Sequence, residues 1–311
     1  MRIRKIFALL AALAGCAAAL AQAAPAASGK TVAERLGYPA ATRLLMIHAD
    51  DFGMAHTVNT ATMEALEKHW VTSASILVPC PWFPEVAQWA KTHPEADLGI
   101  HLALNSEWTT LRWRPVSPQP RGSSLLDADG YLPLTEDRVA KNAKAAEVEV
   151  ETRAQIDKAI AAGIGISHLD AHMGAILGAP ELYRVYLNLG KSYQLPLLLE
   201  RPPYPGIEVA PGAMLVDRAL GIQPGVPDGD WLMAYEGLLA SLPPGVYQLT
   251  VHLGHDDEEL QGATADHPNW GARWRQNDFD LVRNPLFQAF LQQQGFVLVS
   301  WRELKKAMMV H

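Results

Sequence analysis

The chain has 311 residues, 49% of them apolar and 19% charged, which is length and apolar content enough for a buried core and excludes wholesale disorder. Its 26 basic against 33 acidic side chains give a formal net charge of −7, so bulk electrostatics exclude nucleic acid as an expected partner. Two cysteines, Cys16 and Cys80, exclude a disulfide framework.

Met1 to Lys5 is basic, Ile6 to Leu20 is almost all Ala, Leu and Phe, and small residues surround Ala21-Gln22-Ala23. Charged, then apolar, then small is the order of a secretory signal peptide over residues 1–23. Leu13-Ala14-Gly15-Cys16 fits a lipoprotein signal cut before an acylated Cys16 equally well. Either way the chain is expected to be exported to the periplasm, touching a membrane only through a possible N-terminal lipid anchor. A transmembrane span is the weaker reading, because the run is Ala-rich and short of about 20 strongly apolar residues. Residues 24–42 then read as a linker and 43–311 as one domain.

From Arg43 onward, short apolar runs alternate with helical patterns. Leu44 to His48 precedes a helical pattern over Thr57 to His69, and Val71 to Val78 precedes one over Phe83 to Lys91. Leu98 to Leu104 opens into Asn105 to Arg138, a stretch with three prolines between 115 and 120 and little periodicity. A long excursion of this kind is usually functional. The helical pattern Ala145 to Ala162 leads to the run Ile164 to Asp170, and Leu182 to Tyr193 leads to Pro196 to Leu199. Asp230 to Leu242 leads to Val246 to Val251, and Pro285 to Gln294 leads to Phe296 to Ser300. Several runs are continuously apolar and β-branched, as in strands buried on both faces. The alternation predicts a parallel α/β fold, either an open sheet or a barrel.

The titratable residues fall at the ends of these runs. Asp50 and Asp51 close the first, His101 lies in the third, His168, Asp170 and His172 close the fourth, and His252 closes the sixth. Residues at the C-terminal ends of parallel strands converge on one mouth. Asp with two His suits a hydrolytic divalent metal with open coordination positions. His168 and His172 have the i, i+4 spacing of a helical metal pair, but Gly163-Ile164-Gly165-Ile166 argues for a strand. On a strand four residues span about 13 Å, so only one of the two can ligate, and His172 lies nearer the mouth. Asp50-Asp51 alternatively reads as a cap for the helix near Thr57. His255-Asp256-Asp257-Glu258 reads as a solvated loop or helix start rather than a second metal site.

The segments HADDFGMAHTVNTATMEALEKHWVTSASILVP, LGIHLAL, SHLDAH and QLTVHLG, in that order, resemble the YdjC/ChbG-type carbohydrate deacetylase family from about Leu44 to Trp301. The resemblance implies an irregular seven-stranded (β/α) barrel like that of polysaccharide deacetylases. It implies one divalent ion, Mg²⁺ or Zn²⁺, on Asp51, His101 and His172, with Asp50 as catalytic base and His252 as acid. Two departures stand out. His252-Leu253-Gly254 lacks the proline usual after this histidine, and Met173-Gly174-Ala175-Ile176 follows His172 where many members carry further histidines. His168 and Asp170 are read as outer partners that orient a ligand or the acid.

The implied reaction is hydrolysis of an N-acetyl group on an amino sugar or oligosaccharide. Trp108, Arg112, Trp113, Arg201, Trp270 and Arg273 are candidates to line its cleft, Trp by stacking on sugar faces and Arg by bonding hydroxyls. Two other readings remain open at this point: a barrel metallohydrolase acting on a different amide or ester, and a non-catalytic carbohydrate-binding protein. The excursion from Asn105 to Arg138 is expected to close over the mouth, the alternative being an insertion packed on the barrel flank.

Overall fold

Seven strands pair in parallel: β1 (Arg43–Phe52), β2 (Ser73–Ile76), β3 (Leu98–Leu102), β4 (Ile166–Ala171), β5 (Arg218–Leu220), β6 (Gly245–Val251) and β7 (Phe296–Leu298). Their order is β4-β3-β2-β1-β6-β5, with β7 paired to the first residues of β1. The computed structural model describes residues 30–200, 204–209 and 216–309. The expected signal peptide, Cys16 and Arg201 lie outside the described residues. No helix of those residues is long and apolar enough to cross a membrane.

The sheet is curled, with helices packed on its outer face. The six expected helices occur within two residues of their expected ends. Six of the expected strands also occur, but Pro196 to Leu199 does not form one. It makes a single bridge, Leu197 to Leu169, because Pro196 has no N–H to offer a ladder. That bridge still extends the curl: the Val216 N–H donates to Leu199 while the Asp217 N–H donates to Val246 of β6. β5, missed in the sequence, has only three residues and gives no period to detect.

Alternation along the central strands sorts their side chains. Leu45, Ile47 and Ala49 of β1 join the core under the outer helices. Leu44 and Met46 face the inside of the curl, where Val246, Val299, Trp301, Leu304 and Ala33 close its lower end. Three of those residues belong to two helices not expected from sequence. Ala33 sits in helix Val32–Arg35, held by a Thr31–Glu34 capping box, so this part of the expected linker is a packed plug. Trp301 and Leu304 sit in helix Trp301–Met309.

Above the plug the interior turns polar. The Trp301 indole N–H donates to Gln248, and the Trp301 ring stacks on His168 at 4.8 Å. Gly99 is required there, since a Cβ would come within 2.3 Å of the His168 ring. One layer higher, His48 bonds Ser73 Oγ at 2.7 Å and lies 3.2 Å from Asp170. The carboxylates and histidines of the mouth form the next layer.

Candidate metal centre and cleft

Asp50 and Asp51 would face opposite sides of a regular strand. Asp51 instead takes a left-handed φ of +66°, and the register of β1 against β2 shifts between Ala49 and Phe52. This irregularity turns both carboxylates toward the mouth, a strained conformation of the kind found at functional sites. The cap reading fails, because helix His56–Glu67 starts after Ala55 and neither aspartate caps it.

Asp51 Oδ1 lies 3.5 Å from His101 Nε2 and 3.5 Å from His172 Nδ1. All three side chains are buried and their ligand atoms lie within 4.8 Å of one another, close enough to share one cation. Asp51 Oδ1 has no hydrogen-bond partner, so a buried anionic oxygen stands unsatisfied where such an ion would sit. Each imidazole turns one nitrogen toward Asp51 Oδ1 and bonds a carboxylate with the other. His101 Nδ1–H donates to Asp170 Oδ1 at 2.5 Å, and His172 Nε2–H donates to Glu107 Oε2 at 2.9 Å. This is the outer-partner arrangement of metal-binding histidines.

The charges around the cluster shift its titrations. Burial would raise the Asp51 carboxyl, but the Arg275 guanidinium 2.7 Å away, with His172 and His252, holds it well below the usual carboxylate range. Burial would lower His172, yet Glu107 and Asp51 push it up to about 10. Burial likewise opposes His101, which Asp170 and Asp50 raise. Asp50, Asp51, Asp170 and Glu107 thus concentrate negative charge that a divalent ion would neutralise, and the N₂O donor set fits one.

Asp50 stands beside this cluster, and with His101 and Asp170 it forms another group whose ligand atoms lie within 4.8 Å of one another. Its Oδ2 lies 3.8 Å from both His101 Nε2 and His252 Nε2, and its Oδ1 is 3.3 Å from His48. Ser75 Oγ donates to it at 3.4 Å. Burial lowers the His252 pKa against the pull of Asp51 and Asp50, and its ring packs on Trp274 at 4.9 Å.

These groups form the floor of a cavity of about 640 Å³. Trp108, Trp270, Trp274, His267, Leu134 and Met173 contribute its walls, and Glu107 and Glu136 also line it. Such a cleft, apolar with a few convergent polar groups, has the form of a small-molecule site.

The sequence matches the family described as YdjC-like protein over residues 44–293. The chain belongs to the YdjC-like family. A protein named carbohydrate deacetylase from Thermus thermophilus is 34% identical over 285 residues, 88% of this chain and 98% of that one. Another of that name, from Brevibacillus brevis, is 33% identical over 153 residues, 49% of this chain and 58% of its own length. A crystal structure described as a cellobiose-phosphate cleavage protein from Enterococcus faecalis superposes with a TM-score of 0.70. At 24% identity it covers 85% of this chain and 99% of its own, and so shares the fold.

Not every expected site residue of this YdjC-like chain reaches the cleft. Arg112 is spent inside the excursion, bonding Asp127 at 2.8 Å, Ser106, and the Leu132 carbonyl at 2.6 Å. Trp113 is buried beneath it, its indole N–H on the Asn105 carbonyl and its ring 6.0 Å from His172. Neither lines the cavity, whereas Trp108 and Trp270 do. Arg273 pairs with Asp228 on the surface. His168 makes no hydrogen bond to the three clustered groups. Its Nδ1 meets Ser167, and burial with the nearby His48 charge holds its pKa well down. Asp257 caps helix Glu258–Ala263, so the acidic run there is a helix start.

Sequence reasoning missed Glu107, Arg275 and His48. His48 carried a signal: it lies two residues before Asp50 on the same strand, and so on the same face. Arg275 comes from helix Ala272–Val282, which also presents Trp274 and Asp278 to the interior. A helix whose buried side faces a polar site has no apolar stripe to reveal it.

Asp278 carries a test of this interior. Burial pushes its carboxyl up to about 6, although the Trp231 indole, the Tyr235 hydroxyl and the His252 amide all donate to it. Between about pH 4 and pH 6 the native carboxyl keeps a proton the unfolded chain has lost. Its contribution to stability therefore falls as pH rises through that window and is flat above it, by up to about 3 kcal/mol. The urea stability of the native chain minus that of Asp278→Asn should trace this fall; a difference independent of pH would contradict it.

Proposed function

We propose that this YdjC-like chain is a metal-dependent carbohydrate deacetylase, hydrolysing the N-acetyl group of an amino sugar or oligosaccharide. The observation that carries the reading is the convergence of Asp51, His101 and His172 beside Asp50 and His252 on the floor of one open cleft. Relatives named carbohydrate deacetylase support it.

In this reading Asp51, His101 and His172 hold one divalent ion, and two imidazoles favour Zn²⁺ over Mg²⁺, which prefers all-oxygen sites. When bound, the ion supplies Lewis acidity and lowers the pKa of water. Asp50 takes the proton of the attacking water. His252 gives a proton to the departing amine, so the base and the acid exchange places. The two stand 3.8 Å apart, beyond hydrogen-bond distance, so the proton held by Asp50 returns to His252 through solvent. Asp170 orients the His101 imidazole, and Arg275 keeps Asp51 ionised. The leader residues fit an exported enzyme, soluble or lipid-anchored.

The test is acetate release from a panel of N-acetylated sugars, with and without a chelator and with Zn²⁺ or Mg²⁺ restored. Chelator-sensitive acetate release is the expected result. Release of a different acid would move the reading to another amide or ester, and no turnover of any substrate would favour a binding protein.

The excursion has two parts with different expected effects. Residues from Val116 onward lie on helix Ala145–Ala161, whose Glu151 accepts the Val116 and Ser117 amides and whose Glu147 accepts Ser124. Residues nearer β3 border the cleft: the Thr109 N–H donates to Asp266, and Thr110 Oγ donates to the carbonyls of Gly262 and Ala263. Trp108→Ala should therefore lower kcat/KM, about tenfold for the loss of one wall of the cleft, with metal content intact, and should cost stability as well because its ring is buried. Trp113→Ala should act chiefly on stability, by about 3–5 kcal/mol, the usual cost of truncating a buried aromatic. Steady-state kinetics, metal analysis and urea unfolding of both variants would separate the two; unchanged kinetics in Trp108→Ala would make the excursion structural throughout.

A further inference from the structure

The two histidines of the cluster are anchored differently. His101 is fixed from within the sheet, by Asp170 of the adjacent β4. His172 lies just beyond β4, at the start of a turn where Met173 and Gly174 both take positive φ. Its Nε2–H is held by Glu107, which belongs to the excursion rather than to the barrel.

Glu107 is in turn fixed by its chain neighbours. The Ser106 N–H donates to the Pro133 carbonyl, and Ser106 Oγ accepts the Trp113 amide. On the other side the Thr109 N–H donates to Asp266 across the cleft, and Trp108 packs edge-on against His267 at 5.7 Å. The segment from Asn105 to Thr110 is a strap tied at both ends, with one carboxylate facing the ligand.

We propose that Glu107 is the positioning residue for His172, so that the strap over the cleft and cation binding at the floor are thermodynamically linked. This rests on the assignment of Asp51, His101 and His172 as the ligands. By accepting Nε2–H, Glu107 fixes the tautomer that leaves the Nδ1 lone pair toward Asp51 Oδ1 and sets the ring plane. Because linkage is reciprocal, an ion that fixes His172 also fixes Glu107 and with it the strap. The wall of the substrate cleft is then ordered most fully when the metal is in place.

The experiment measures Zn²⁺ affinity of the full chain by competition with a chromogenic chelator, for the native protein, Glu107→Ala, Glu107→Gln and Asp51→Asn. Glu107→Ala should bind about 10- to 100-fold more weakly, the usual cost of an outer partner. Glu107→Gln keeps an oxygen acceptor for Nε2–H and should stay much closer to the native value. Native affinity in Glu107→Ala, or equal losses in Ala and Gln, would overturn the positioning role. A second measurement needs no variant: hydrogen exchange at the amides of residues 105–110 should slow on Zn²⁺ loading, and unchanged exchange would overturn the linkage. Asp51→Asn separates the two levels. If it binds Zn²⁺ like the native chain, the ligand assignment itself fails; if it loses Zn²⁺ while Glu107→Ala does not, only the present inference fails.

Discussion

Asp50→Asn is expected to keep near-stoichiometric metal and to lose about 10²–10⁴-fold in kcat, the usual contribution of a general base. The geometry behind this is specific. Asp50 lies 3.8 Å from His101 Nε2 and 3.3 Å from His48, beside the cluster of Asp51, His101 and His172 proposed to hold the ion. An amide in its place preserves volume and can still bond Ser75, but it cannot take a proton from water. Metal analysis of the purified variant alongside its kinetics decides the matter. Loss of metal together with activity would make Asp50 a ligand and remove the base from the account.

The second large effect concerns the ligands themselves. Asp51→Asn and His172→Ala should each weaken Zn²⁺ binding by more than about 100-fold, beyond the range of outer partners, and activity should vanish at ordinary metal concentrations. Both variants should also lose stability when metal-free. Asp51 neutralises the buried Arg275 guanidinium, and His172 is the raised imidazole between Glu107 and Asp51, so each substitution removes one partner of a buried pair at a cost of about 3–5 kcal/mol. Urea unfolding at neutral pH checks this; native stability in Asp51→Asn would mean that the Arg275 pair contributes little.

Much of the site was legible because the chain builds it from the ends of buried parallel strands. An Asp or His that interrupts a continuous apolar run is conspicuous, and Asp50, Asp51, His101, Asp170, His172 and His252 all do so. What escaped lies where that contrast is lacking. Glu107 sits in an excursion with no period, and its meaning depends on meeting His172 across 65 residues of chain. Arg275 and Trp274 lie on a helix whose inward face is polar because the cleft is polar. Arg112 and Trp113 read as cleft residues by type, but the excursion needed them for its own interior. The fold followed the same rule. Strands with several apolar residues were recognisable, whereas β5 and the single bridge at Leu197 depend on pairing that no local pattern encodes.

Anomalous diffraction from crystals loaded with Zn²⁺ tests the central claim most directly. The account predicts a single peak at the cleft floor, about 2.0–2.2 Å from Asp51 Oδ1, His101 Nε2 and His172 Nδ1, with Asp50 outside bonding distance. A peak bound by other residues, or no peak at the floor in fully loaded protein, would contradict it.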